Sequence, residues 1–218
     1  MTLKDKDFVE IEFTGKIKDG EIFDSNIKED LEKLHKGHNH EIETKPFILC
    51  LGEQMFLKSI EDFLIGKPET AATYEISLAP EKAFGVRSSK LVMKIPMKIF
   101  KQNKINPVQG EILNFDGRIA KILAVSVGRV MADFNNPLAG KEVFYKIIIK
   151  RKIEDINEKV KAMINFFFRK DLDFEIKNDK IFLKIEKSLK KFAEMFKEKF
   201  KEMFKLELEV VEIDEKKK

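Results

Sequence analysis

The feature that most restricts the fold is an interruption. Residues 72–79 alternate apolar and polar positions as a half-buried strand does, and a long strand is expected from Glu142 to about Ile153. Between them, residues 88–131 change character: short apolar runs are divided by Pro96, Pro107, Gly110, Gly117 and Gly128, with a helical turn expected from Pro96 to Phe100. A turn at Asn135-Asn136-Pro137-Leu138-Ala139-Gly140 then leads back into the strand. A strand that resumes straight after a self-contained stretch predicts a small β-rich unit inserted into a larger sheet domain.

Ahead of the insert, Val9, Ile11 and Phe13 alternate with Glu10 and Glu12, which predicts a strand with one buried face. Asp19-Gly20 signals a hairpin, with residues 21–24 as the returning strand. Residues 27–36 read as a charged surface helix, residues 46–51 as a strand ended by Gly52, and Phe56, Ile60, Phe63 and Leu64 as a helix ended by Gly66. From residue 154 onward there is no proline. Ile156, Val160, Met163, Ile164 and Phe167 give one helix face, with Asp155 as its cap and Glu158 three positions on. Two alternating strands follow around an Asn178-Asp179 turn, then one helix expected from Ser188 to Lys205, then a strand through Leu206, Leu208, Val210 and Ile213. Helix, strand, strand, helix, strand is the order of an α+β sandwich.

Charged residues make up 37% of the 218 positions, yet apolar residues reach 43%, enough for packed cores. The net charge of +4 gives no basic footprint of the kind nucleic acid demands, so no nucleic-acid partner is expected. No apolar run approaches the roughly 18 residues of a membrane-spanning helix, and the first residues lack a signal-peptide core, so neither membrane nor export is expected. Cys50 is the only cysteine, which suits a reducing, cytoplasmic setting.

Four ordered blocks carry a family resemblance. Phe13-Thr14-Gly15 followed by Asp19-Gly20-Glu21-Ile22-Phe23-Asp24-Ser25 resembles the opening motif of FKBP-type peptidyl-prolyl cis/trans isomerases. Lys45-Pro46-Phe47-Ile48-Leu49-Cys50-Leu51-Gly52, Pro80-Glu81-Lys82-Ala83-Phe84-Gly85 and Pro137-Leu138-Ala139-Gly140-Lys141-Glu142 extend the match. The last of these, and the interruption at 88–131, resemble the SlyD-like subfamily with its insert in the flap; the C-terminal arrangement resembles long archaeal members.

The resemblance implies an α+β chain: an FKBP-like antiparallel curved sheet around one helix (residues 1–87 plus 132–153), a small β-rich chaperone insert (88–131) and a C-terminal α+β sandwich domain (154–218). It implies isomerisation of X-Pro bonds of unfolded or partly folded polypeptides in an apolar pocket, together with chaperone activity, and no cofactor. The pocket residues implied are Phe13, Phe23, Asp24, Phe47, Phe84 and Tyr145, with Met55, Phe56, Leu57, Ile60 and Leu138 contacting substrate. Asp24 would orient the peptide or favour the twisted amide. Val92, Ile95, Phe100 and Ile112 would present the insert's client-binding surface, against the alternative that they fill its own small core. Ile60 stands where the best-known members have tryptophan, and Phe13 and Phe84 where they have tyrosine, which implies a less selective pocket. The competing expectation is a catalytically weak or inactive holdase.

Two further features stand apart. His35, His38 and His40 are all the histidines of the chain, and their spacing could bring imidazoles together, but a closed metal site usually needs four ligands, so no metal is expected. A C-terminal domain of about 65 residues carrying so many phenylalanines is hard-pressed to bury them alone, which predicts a homodimer through residues 154–218.

Overall fold

The structure is a computed structural model and describes residues 1–34, 44–70 and 72–213. The chain divides into two compact units. The first comprises Met1–Lys16, Ile22–Ile76 and Tyr145–Lys218; the second comprises Ile17–Glu21 and Ser77–Phe144. The second unit is thus wider than the expected insert, and the C-terminal segment clusters with the first unit.

The first unit is built on a sheet with the order β2 (Ile22–Ser25), β1 (Phe8–Ile17), β9 (Val143–Ile153), β4 (Ala72–Leu78), with β3 (Phe47–Cys50) also on β1. β1 pairs antiparallel with both β2 and β3. The alternation read from sequence is realised: Val9, Ile11 and Phe13 are buried on β1 and Tyr145, Ile147 and Ile149 on β9, while Glu10 and Glu12 stay half-buried. Helix α2 (Lys58–Leu64) buries Ile60 and Leu64 in the same core, and the surface helix α1 (Lys28–Leu34) buries nothing.

The C-terminal part of this unit follows the expected order. Helix α4 (Ile156–Phe168) starts where the Asp155 side chain accepts the Glu158 N–H at 2.9 Å, satisfying a backbone donor that the helix leaves free. Strands β10 (Phe174–Lys177) and β11 (Lys180–Glu186) are antiparallel around Asn178 and Asp179, both at positive φ as a tight hairpin requires. Strand β12 (Glu207–Ile213) lies parallel to β11. The single helix expected from Ser188 to Lys205 is instead broken into α5 (Lys190–Glu194) and α6 (Lys197–Phe204). At the break, Met195 and Phe196 donate to carbonyls three residues back, which tightens the turn. The break lets Phe196 stack on Phe167 of α4 at 4.1 Å while Phe192 meets Phe168 edge-on at 5.5 Å.

The second unit holds an antiparallel sheet in the order β5 (Val92–Pro96), β8 (Arg129–Asp133), β7 (Arg118–Ser126), β6 (Ile112–Phe115). The short helix α3 (Met97–Gln102) follows β5 and covers the core with Phe100, packed with Ala120, Ile122, Val130 and Ala132. Among the described residues, no helix is long and apolar enough to cross a membrane.

Candidate functional site

Five aromatic rings of the first unit converge, four from separate strands and one from the loop before α2. Phe13 on β1 lies 4.7 Å from Phe56, 5.7 Å from Phe47 and 6.3 Å from Tyr145, centroid to centroid. Tyr145 on β9 meets Phe56 at 5.5 Å and Phe23 of β2 at 5.7 Å, both edge-on. The edge-to-face geometry sets positive ring edges against negative faces.

Backbone hydrogen bonds hold the residues of two of these rings, Phe13 and Phe56. Phe13 is clamped from the end of β2: Asn26 Oδ1 accepts its N–H at 2.7 Å and Ser25 Oγ donates to its carbonyl at 2.8 Å. Gly15 lies beneath two of the rings, where a Cβ would come within 2.8 Å of Phe23 and 2.9 Å of Tyr145. Here glycine is required by close approach, since no other residue leaves room for both rings.

Phe56 is set by a buried carboxylate that sequence reading missed. Glu61, fully buried on α2, accepts the backbone N–H groups of Gly52 at 2.9 Å, Gln54 at 3.0 Å and Phe56 at 2.8 Å. Three donors offset the desolvation of the charge. Nothing in a helix reading Lys58-Ser59-Ile60-Glu61-Asp62 marks Glu61 as inward; only the turn at Gly52–Gln54, with both its end residues at positive φ, hints that the loop folds back on the helix.

Asp24 sits on β2 beside the cluster with solvent access, yet burial raises its carboxyl above the ordinary value, against the pull of the Ser25 N–H. Burial, and then the negative charge of Asp24, push the Tyr145 phenol up, so the two acidic groups share one neighbourhood. Cys50 is buried, which pushes its thiol up to about 12 and leaves it unreactive.

A family model described as FKBP-type peptidyl-prolyl cis-trans isomerase matches residues 1–100, and one described as the FKBP26 IF domain matches residues 93–138. The short-type peptidyl-prolyl cis-trans isomerase of Methanocaldococcus jannaschii is 30% identical over 148 residues, covering 68% of this chain and 92% of that protein. The chain belongs to the FKBP-type peptidyl-prolyl cis-trans isomerase family. Its SlyD-like character is supported by the FKBP-type isomerase SlyD of Aeromonas hydrophila, 26% identical over 145 residues, which are 65% of this chain and 60% of that protein. The three FKBP domains of wheat FKBP73 align with 71% of this chain and 42% of that chain at 15% identity, with a TM-score of 0.36.

The other residues expected of an FKBP-type site fall as follows. Ile60 is fully buried on α2, and Met55 is buried with its sulfur accepting the Cys50 N–H at 3.1 Å. Leu57 is half-buried at the start of α2. Phe84 and Leu138 belong to the second unit; both are half-buried, Phe84 just after a 3-10 turn at Pro80–Lys82. In the insert, Phe100 is 1% exposed and Ile95 packs on the same core. Phe100 is therefore corrected from a client-binding residue to a core residue, because its ring fills the space over the four-stranded sheet. Val92 is half-buried, and Ile112 is 63% exposed. His35, His38 and His40 lie outside the described residues; among the described residues no acidic, cysteine or histidine group is arranged to hold a metal.

Proposed function

We propose that this isomerase acts on X-Pro bonds of unfolded or partly folded polypeptides, with the prolyl ring held against the aromatic cluster of Phe13, Phe23, Phe47, Phe56 and Tyr145. The convergence of these five rings carries the reading. Rotation about the prolyl amide costs about 18–20 kcal/mol, chiefly lost resonance. The planar amide is strongly dipolar and well solvated by water; the twisted transition state is less so. An apolar aromatic wall withholds solvation from the planar form and penalises the twisted form less, so the barrier falls without nucleophile or metal. Asp24, beside Phe23, orients the peptide or stabilises the twisted amide electrostatically.

The second unit contributes client binding. Met93, Ile99, Val108, Ile112, Ile119 and Val127 are all exposed on it, and Ile112 and Ile119 line one groove there. A tethered client site raises the effective concentration of prolines at the first. The C-terminal segment serves as a homodimer contact: Phe192, Met195, Val211 and Ile213 remain exposed there. Sedimentation at micromolar concentration reads that directly, and a monomer would remove the dimer.

The deciding experiment measures cis-to-trans conversion of a short Phe-Pro peptide, for the full chain and for a version with residues 88–131 replaced by a short flap. Turnover in both, with loss of activity on unfolded protein only in the second, is the expected result. Protection of an aggregating client with no peptide turnover would instead establish a holdase.

A further inference from the structure

A cleft of about 540 Å³ lies between β3 and α4, on the first unit. Its apolar lining is Pro46, Phe47, Ile48, Met55, Ala162 and Phe166. Phe47 belongs at once to this cleft and to the aromatic cluster, where its ring lies 5.7 Å from Phe13 and 5.4 Å from Phe56. A chain whose proline rests on the cluster therefore has a continuous apolar path into the cleft. The volume lies within the range of clefts that hold ligands, about 300–1,000 Å³.

The polar lining is not balanced. Glu158 pairs with Arg151 at 2.5 Å, which lies outside the cleft and also pairs with Glu10 at 2.8 Å, and Asp171 pairs with Lys45 of the lining at 3.3 Å. Lys161 and Arg169 also line the cleft, and neither makes an ion pair among the described residues. Arg169 is held at its mouth with the guanidinium 5.3 Å from the Phe166 ring centre. One acceptor is also left over. Asn165 lines the cleft, and its Nδ2 donates to Asp171 Oδ1 at 3.0 Å, which fixes which end of the amide is the oxygen. The Oδ1 is buried and accepts no hydrogen bond. Buried acceptors are nearly always satisfied, and this one is an exception in the wall of the cleft.

We infer that this cleft binds the stretch of substrate polypeptide flanking the isomerised proline, and that it prefers a stretch carrying an acidic side chain. The inference rests on the isomerase reading above and adds to it a sequence preference supplied by α4. The substrate's apolar side chains lie on Phe47 and Phe166, and its carboxylate is met by Lys161 and Arg169. Polypeptide is favoured over a small ligand by the continuity through Phe47.

The test compares kcat/KM for eight-residue proline peptides that differ only in Glu, Gln or Lys three positions from the proline, on either side. The full chain is expected to favour Glu over Lys by roughly threefold to tenfold at low ionic strength on one of the two sides, the range two exposed charge pairs provide. The preference shrinks with added salt. In a Lys161→Ala, Arg169→Ala double variant, whose changed side chains are exposed, the ratio falls to within about twofold. Equal turnover of the Glu and Lys peptides by the unaltered chain, or a ratio that survives the double substitution, overturns the inference. Turnover of a tetrapeptide too short to reach the cleft tests the isomerase reading separately. If no peptide is isomerised, anisotropy of the labelled Glu and Lys peptides decides the cleft alone: tighter binding of the Glu peptide, lost in the double variant, supports it, and equal binding sinks it.

Discussion

Phe56 donates its backbone N–H to the buried Glu61 Oε1 at 2.8 Å, so a ring of the aromatic cluster is positioned by a carboxylate five residues further along the chain. Replacing Glu61 by alanine strands three backbone donors in the loop. Hydrogen bonds to a charged group contribute about 1.5–3 kcal/mol each, and partial rehydration of the loop recovers some of that. Glu61→Ala is expected to destabilise the first unit by about 3 kcal/mol and to lower peptide turnover by about tenfold. Glu61→Gln, which keeps one oxygen but turns an amide toward a donor, falls between. Urea midpoints with peptide kinetics check both; a folded, fully active Glu61→Ala protein would remove Glu61 as the organiser of the loop.

The contrast between Glu61 and Phe13 shows what sequence could and could not carry. Phe13 was legible because alternation along β1 places it inward and a motif surrounds it. The layers, the β10–β11 hairpin and the Asp155 cap were legible for the same reason: each depends on local periodicity or a single turn. Glu61 was not legible, because its partners are backbone groups of a loop and leave no residue-type signature. The break between α5 and α6 escaped as well. The apolar stripe continues through it, and only packing of Phe196 against Phe167 selects two helices over one. Phe100 was ambiguous in sequence because a helix of six residues offers no periodicity long enough to separate core from surface.

Asp24 and Tyr145 give a pH prediction. The Asp24 carboxyl is raised above 3.8, first by burial, so the native state holds this proton more tightly than the unfolded chain does. Stability from this group is therefore greatest below the ordinary value and declines as pH rises through the native one. Asp24→Asn removes that cost. The variant is expected to match the parent near pH 3 and to gain in urea midpoint as pH rises toward 6, modestly because the side chain keeps solvent access. Turnover should drop by about tenfold over the same range if the charge assists the twisted amide. A variant losing stability at pH 6 would contradict the burial effect.

Phe100 and Ile112 separate folding of the second unit from its use. Phe100 is 1% exposed and meets Phe115 edge-on at 5.7 Å, so Phe100→Ala is expected to cost about 3–5 kcal/mol and to expose the unit to protease. Ile112→Ser, at a position 63% exposed, should shift stability by less than about 0.5 kcal/mol while weakening protection of an aggregating client. Limited proteolysis and light scattering distinguish them; unchanged protection by Ile112→Ser together with Ile119→Ser would move client binding elsewhere.

Glu53 joins the loop before α2 to the C-terminal helices. Its side chain is 7% exposed and pairs with Lys6 and, at 2.6 Å, with Lys199 of α6. Next to it, Phe8 of β1 packs against Phe204 at 5.9 Å. Burial by itself would raise the Glu53 carboxyl, but hydrogen bonds from Lys199 and Lys6 outweigh it and hold the group below 4.5. The unfolded chain then takes up the proton first, so the contribution is complete above the ordinary value and is lost as pH falls through the native one. Both lysines keep solvent contact, so Glu53→Gln should cost about 1–2 kcal/mol at pH 7, below the 3–5 kcal/mol of a fully buried pair. The difference from the parent should stay constant down to about pH 5.5, narrow through 4.5, and close at lower pH. A gap that persists at pH 2 would assign the loss to packing in place of charge, and the hold on α6 would then lie in apolar contacts such as that of Phe204 with Phe8 of β1.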